Sequence, residues 1–218
     1  MNLKRVVPVF ILLFVLTAAY SLPTAPPPSG IAAEELESRL PGVQGSQRLD
    51  ILLQLLFFFQ RQEPPKALEY GNEALELIKN HPHSRKELDL VIALGVANSV
   101  AGKAGKAKEF LARAEALVRS SGAPRDRARL DQLRGDIYRN TDDSKRAVTF
   151  YEQALQAFQE LGDKEGIGTS YNYLGMAYWE LSDFPGVLDA YMAAAKIYDQ
   201  IAAHRKNAYL HNNIGRVY

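Results

Sequence analysis

From residue 44 onward, apolar side chains recur at intervals of three, four and seven, the spacing of one face of an α-helix. Tyr171, Leu174, Gly175 and Tyr178 share such a face, and Val187, Tyr191, Ala194 and Tyr198 share the next. Between the periodic stretches stand short breaks such as Glu63-Pro64-Pro65, Asp142-Asp143-Ser144 and Ser182-Asp183-Phe184-Pro185. These combine side chains that cap helix starts with prolines suited to a first turn. Gly122 and Gly162 fall where a glycine closes the end of a helix. No strand-like alternation competes, so the pattern predicts an all-α chain of antiparallel helix pairs.

The pairs repeat. Gly95, Gly135, Gly175 and Gly215 stand 40 residues apart. Twelve residues after Leu55, Gly95, Gly135 and Gly175 come Ala67, Ala107, Ala147 and Val187, and seven further on come Ala74, Ala114, Ala154 and Ala194. A glycine inside a helix costs about 1 kcal/mol relative to alanine. Its recurrence therefore predicts a close helix contact, with glycine on the first helix of a pair facing alanine on the second. Gly175 should reject a large side chain, whereas Gly166, near a helix start, should accept alanine. A single pair cannot bury its own apolar face, so the pairs must stack. The expected architecture is an α-solenoid over residues 44–218, about four and a half repeats. The sequence stops at Tyr218, halfway through a fifth unit, which points to a fragment of a longer protein.

The first 30 residues follow another logic. Lys4 and Arg5 precede an apolar run over residues 6–16, and Thr17, Ala18 and Ala19 follow it. That is the order of a secretory signal peptide, with cleavage near residues 19–22. The run falls short of the ~20 residues a membrane-spanning helix needs, and Pro8 interrupts it. Residues 1–21 are thus assigned to a signal peptide and 22–43 to a Pro-rich linker and short helix. Within that linker, 23–30 (PTAPPPSG) form a stiff spacer, and 31–40 an amphipathic helix stopped by Pro41-Gly42. The repeats are expected to be exported, in the periplasm; the alternative is an uncleaved anchor holding them outside the cytoplasm.

Composition narrows the chemistry. With 26 Lys and Arg against 25 Asp and Glu, the net charge of +1 argues against a nucleic-acid partner. The absence of cysteine removes thiol catalysis, Cys-ligated zinc and disulfides. Gly102-Lys-Ala-Gly105-Lys106-Ala107 lacks the spacing and hydroxyl of a phosphate loop, and Gly166-Ile-Gly168 has no preceding strand. His81 with His83, and His204 with His211, offer too few ligands for a metal. Glu34-Glu35 and Asp142-Asp143 suit the positive ends of helix dipoles. The cluster Arg119, Arg125, Arg127, Arg129 and Arg134 reads as a solvated helix connection, with a phosphate or acidic-partner site as the alternative. No catalytic residue, cofactor or metal is expected.

Tyr171-x-x-Leu174-Gly175-x-x-Tyr178 resembles the first helix of the tetratricopeptide repeat family, with partial copies at 131–138 and 211–218 and only Leu94-Gly95 kept in 91–98. Ala147, Tyr151 and Ala154, like Val187, Tyr191 and Ala194, resemble its second helix. The resemblance implies a right-handed superhelix that binds a peptide or protein in its concave groove and performs no chemistry. Two departures are a unit of 40 residues against the usual 34, and the absence of the closing proline from most units. A unit of this length after a signal peptide is similar to exported sensory regions of bacterial histidine kinases and diguanylate cyclases. The alternative function is therefore the sensory input of a signalling enzyme whose catalytic part lies beyond residue 218.

The groove should be lined by a stripe displaced ~100° from the packing stripe. Unit by unit it reads Leu52, Leu56, Phe59; Ile92, Val96, Ser99; Gln132, Asp136, Arg139; Asn172, Met176, Trp179; Asn212, Arg216. It runs from apolar to polar. The partner-binding residues are predicted to be Asn172, Met176, Trp179, Asn212 and Arg216, with Trp179 as anchor and Arg216 as charge partner. A membrane would be met only through an uncleaved N-terminus or a downstream segment.

Overall fold

The computed structural model describes residues 33–79 and 85–215; of 204, 205, 208, 209 and 212 it describes the helix but not the side chain. The signal-peptide assignment, the PTAPPPSG spacer, His81, His83 and Arg216 lie outside the described residues.

The described residues form ten α-helices, with no strand among them. After α1 (Ala33–Arg39) and a 3-10 turn, Leu40–Gly42, come α2 (Gly45–Phe59) and α3 (Pro64–Ile78), then α4 (Arg85–Val100) and α5 (Ala104–Ser121). The third pair is α6 (Pro124–Arg139) and α7 (Ser144–Leu161), the fourth α8 (Lys164–Glu180) and α9 (Phe184–Gln200), and α10 (His204–Gly215) opens a fifth. Each helix packs mainly on its chain neighbours, and the first helices α2, α4 and α6 also touch in succession. This is the expected α-solenoid of antiparallel pairs.

Local chemistry explains the boundaries. The side chains of Asp143, Asp163 and Asp183 each accept a backbone N–H three residues on, at 3.3, 3.0 and 3.1 Å, and so cap α7, α8 and α9. Pro64, Pro124 and Pro185 sit in first turns, where no backbone donor is missed. Gly122 and Gly162 close α5 and α7 in the left-handed region, at φ 65° and 66°. The corresponding turn after α9 places Ala202 at φ 52°, with no glycine to relieve its Cβ.

The core is a succession of clusters between neighbouring helices. Leu52, Leu55 and Leu56 meet Ala67, Ala74, Leu90 and Leu94; farther along, Val91, Ala107 and Ala114 meet Leu130 and Leu133. Ala147, Tyr151 and Leu174 form another cluster, and Val187, Tyr191, Ala194 and Tyr198 enclose Leu210. Ala33 and Leu36 of α1 join the first cluster. Glu37 pins α1 to α3, pairing with Lys66 at 2.7 Å and accepting from the Tyr70 hydroxyl at 2.7 Å.

Two expectations about glycine are corrected. A Cβ on Gly135 or Gly175 would overlap the ring of Tyr151 or Tyr191, and one on Gly95 would come within 2.9 Å of Leu133. The partner is thus a large side chain and not alanine, because a ring laid against a bare backbone fills the gap that a methyl would leave. Gly166 is also enclosed: its Cβ would overlap Phe158. Its position near a helix start does not spare it, since the end of α7 lies against that start.

Candidate functional site

Three consecutive first helices turn one face each toward a shared cavity of about 380 Å³. Arg85, Asp89, Ile92 and Val96 line it from α4, at intervals of four, three and four. Arg125, Arg129, Gln132, Leu133 and Asp136 line it from α6, and Glu165, Gly166, Thr169 and Tyr173 from α8. Phe57 and Gln60 close one end from α2 and its following turn, and Phe158 of α7 contributes a ring. The volume falls in the range of ordinary ligand pockets, ~300–1,000 Å³.

The charges around this cavity are largely spent on one another. Arg129 pairs with Asp89, Arg125 with Asp163, and Lys206 with Glu165, each at 2.6 Å. Arg85 is exposed and has no ion pair among the described residues. Phe57, Ile92, Val96, Leu133 and Phe158 supply the apolar part of the walls, and the Gln60 side-chain carbonyl is buried without a partner among the described residues. Such a surface offers an apolar seat and, among the described residues, one guanidinium without an ion pair and one acceptor without a donor.

Beneath the cavity lies a buried ionic network. Arg61 donates through Nη2 to Asp136 Oδ2 at 2.5 Å, and the two side chains are 4% and 2% exposed. The Tyr151 hydroxyl donates to Asp136 Oδ1 at 2.7 Å, and Ser99 Oγ donates to the Asp136 carbonyl at 3.2 Å. The Arg61 guanidinium lies 4.4 Å from the centre of the Tyr173 ring. Burial is the largest single influence on Arg61 and would lower its pKa, but Asp136, Tyr173 and Tyr151 together outweigh it and raise the pKa, so the guanidinium stays charged. Burial and then the Asp136 charge push the Tyr151 phenol well above its ordinary value and keep it a donor. Removing one member of such a pair costs ~3–5 kcal/mol, whereas replacing both with apolar side chains is often neutral.

Sequence and structure meet unevenly here. Ile92, Val96, Gln132 and Asp136 of the predicted stripe line the cavity. On α8 the lining is Glu165, Thr169 and Tyr173, while Asn172 and Met176 are 1% and 2% exposed. Trp179 is half-buried, its ring edge-to-face with Phe184 at 5.8 Å. The side chain of Asn212, like Arg216, lies outside the described residues. The arginine cluster divides: Arg125 and Arg129 reach the cavity, whereas Arg119, Arg127 and Arg134 line a separate depression in which Arg134 pairs with Glu115 and Asp131. Arg61 and Tyr173 escaped the sequence reading. Arg61 belongs to a turn outside any helical stripe, and Tyr173 falls outside both the packing stripe (Tyr171, Leu174, Gly175, Tyr178) and the groove stripe (Asn172, Met176, Trp179) of its helix. Among the described residues, no three acidic or histidine side chains gather as metal ligands, and no helix is long and apolar enough to cross a membrane.

Comparison with known proteins bears on this architecture. Residues 126–200 match the tetratricopeptide repeat model. No curated protein matches the chain. Among solved structures, a Rap protein complexed with Competence and Sporulation Factor is similar with a TM-score of 0.60 at 12% identity, over 85% of this chain and 68% of that one. BtubC from P. vanneervenii is similar at 0.55 and 20% identity, over 85% and 78%. A signal transduction ATPase with numerous domains and a tetratricopeptide repeat sensor, from Pyrococcus horikoshii, is similar at 0.55 and 18% identity, over 85% of this chain but only 29% of that one. At these identities the likeness is one of fold. The chain is a helical-repeat solenoid whose residues 126–200 carry the tetratricopeptide repeat pattern.

Proposed function

We propose that the protein is an exported scaffold that holds a peptide or protein segment in the cavity between α4, α6 and α8, with no chemistry of its own. The observation that carries the reading is the cavity: an apolar wall crossed by three successive repeats, rimmed by Arg85 and containing an unmet acceptor at Gln60. An extended segment could lay apolar side chains on Ile92, Val96 and Phe158 and a carboxylate on Arg85. Trp179, Asn212 and Arg216 remain the proposed continuation of that surface toward α10, with Trp179 as its anchor, while Asn172 and Met176 lie buried beneath it. The Rap protein, solved with a bound factor, is a helical-repeat relative in fold that carries a partner. If the scaffold is instead the sensory input of a signalling enzyme, the same groove would be its sensor.

The test exploits Arg85, which is exposed and makes no ion pair among the described residues. Arg85→Glu should leave the melting temperature unchanged and cut recovery of partners from an envelope extract several-fold. Trp179→Ala should also reduce recovery, while Met192→Ser, on the 59%-exposed side chain of α9, should not. Equal recovery by wild type, Arg85→Glu and Trp179→Ala would refute the groove.

A further inference from the structure

Arg61 stands in the turn of the first pair, yet it bonds to Asp136 on α6 and covers Tyr173 on α8. Packed helices lie ~8–10 Å apart, so three steps along a straight stack would put α2 about 24–30 Å from α8. An arginine side chain spans far less. The contact exists because the chain winds tightly enough to carry its first turn over its third and fourth pairs. Asp136 is where the winding closes, for its two carboxylate oxygens take Arg61 and Tyr151 while its carbonyl takes Ser99. Side chains of all four pairs meet around Asp136 and its partner Arg61.

We infer that Arg61 is a clasp that sets the winding of the solenoid and hence the width of the groove, a positioning residue that acts on the cavity without lining it. Three observations converge on this role. The pair is buried, and a buried ion pair adds little stability over an apolar pair of the same size. Nε and Nη1 of Arg61 find no partner among the described residues, an expense that core packing would avoid and a geometric tie can bear. The side chain comes from a turn and not from a packed helix face, so no neighbouring helix contact requires it. The effect on binding rests on the groove reading above; the effect on winding does not.

The absence of cysteine permits a direct measurement. Cysteines placed at Glu69 on α3 and at Met192 on α9, both exposed, accept spin labels without background in the full chain. With Arg61 and Asp136 present, the label-to-label distance should be narrowly distributed. In the double variant Arg61→Leu/Asp136→Leu it should lengthen and broaden while thermal unfolding stays cooperative. An unchanged distance in that variant overturns the clasp. Should the double variant fail to fold, Arg61→Lys, which keeps the charge but loses the planar fork, is measured by the same criterion. A lengthened distance upholds the clasp even where the Arg85→Glu experiment finds no groove. Partner loss on Arg85→Glu with an unchanged distance leaves the groove standing without it.

Discussion

At the scale of single residues, backbone proximity decides which positions tolerate change. Gly175 and Gly166 each have a ring where a Cβ would go, Tyr191 in one case and Phe158 in the other. Gly175→Leu should cost ~3 kcal/mol or more, because overpacking forces ring and backbone apart. Gly166→Ala should cost ~1–3 kcal/mol for the same reason. Thermal melts check both, and a negligible shift for Gly166→Ala would mean that Phe158 swings aside freely. Ala202 presents the opposite case. It holds φ 52° in the turn where Gly122 and Gly162 hold 65° and 66°. Ala202→Gly should raise stability by ~0.5–1 kcal/mol, the left-handed strain relieved less the entropy glycine adds to the unfolded chain. A lower melting temperature would contradict that balance.

At the scale of elements, the caps tie one helix pair to the next. Asp163 accepts the Gly166 N–H at the start of α8 and also pairs with Arg125 at the start of α6. Burial opposes its ionisation, but the Gly166 N–H and Arg125 prevail, and its pKa lies below the usual 3.8. A carboxylate with a depressed folded pKa contributes stability above its unfolded value and loses it as pH falls through the folded one. Asp163→Asn should therefore cost ~1 kcal/mol near neutral pH. The gap between variant and wild type should close as the pH drops below about 3.8. A gap that persists in acid would mean that the carboxylate charge does not matter. Asp143 and Asp183 were legible as caps because each follows a break and precedes an apolar run. Asp163 belongs to the same group, but the helix-stop signal of the adjacent Gly162 masks it in the sequence.

At the scale of the whole molecule, the proposed signal peptide precedes a wound helical-repeat solenoid. The proposed export predicts a mature N-terminus near residues 20–23 in material from the native host. Mass spectrometry that finds Met1 retained would remove the cleavage claim and favour the anchored alternative. What lies inward of the repeats was decided by winding. The α-solenoid, its helix pairs and most cap positions could be read from the sequence because they rest on short-range periodicity, turn residues and glycine placement, which act within one helix or between chain neighbours. The orientation of the groove face could be read on α4 and α6, where Ile92, Val96, Gln132 and Asp136 reach the cavity. It could not be read on α8, because a small rotation of one helix exchanges Asn172 and Met176 for Thr169 and Tyr173, and no local pattern reports such a rotation. The Arg61–Asp136 pair joins residues 75 apart, and a turn arginine carries no sign of its distant carboxylate. Helical spacing in the sequence by itself determined the repeated pairs; the curvature that stacks them, and with it the charged floor of the groove, came only from tertiary packing, because it is the sum of many small rotations that no single repeat encodes.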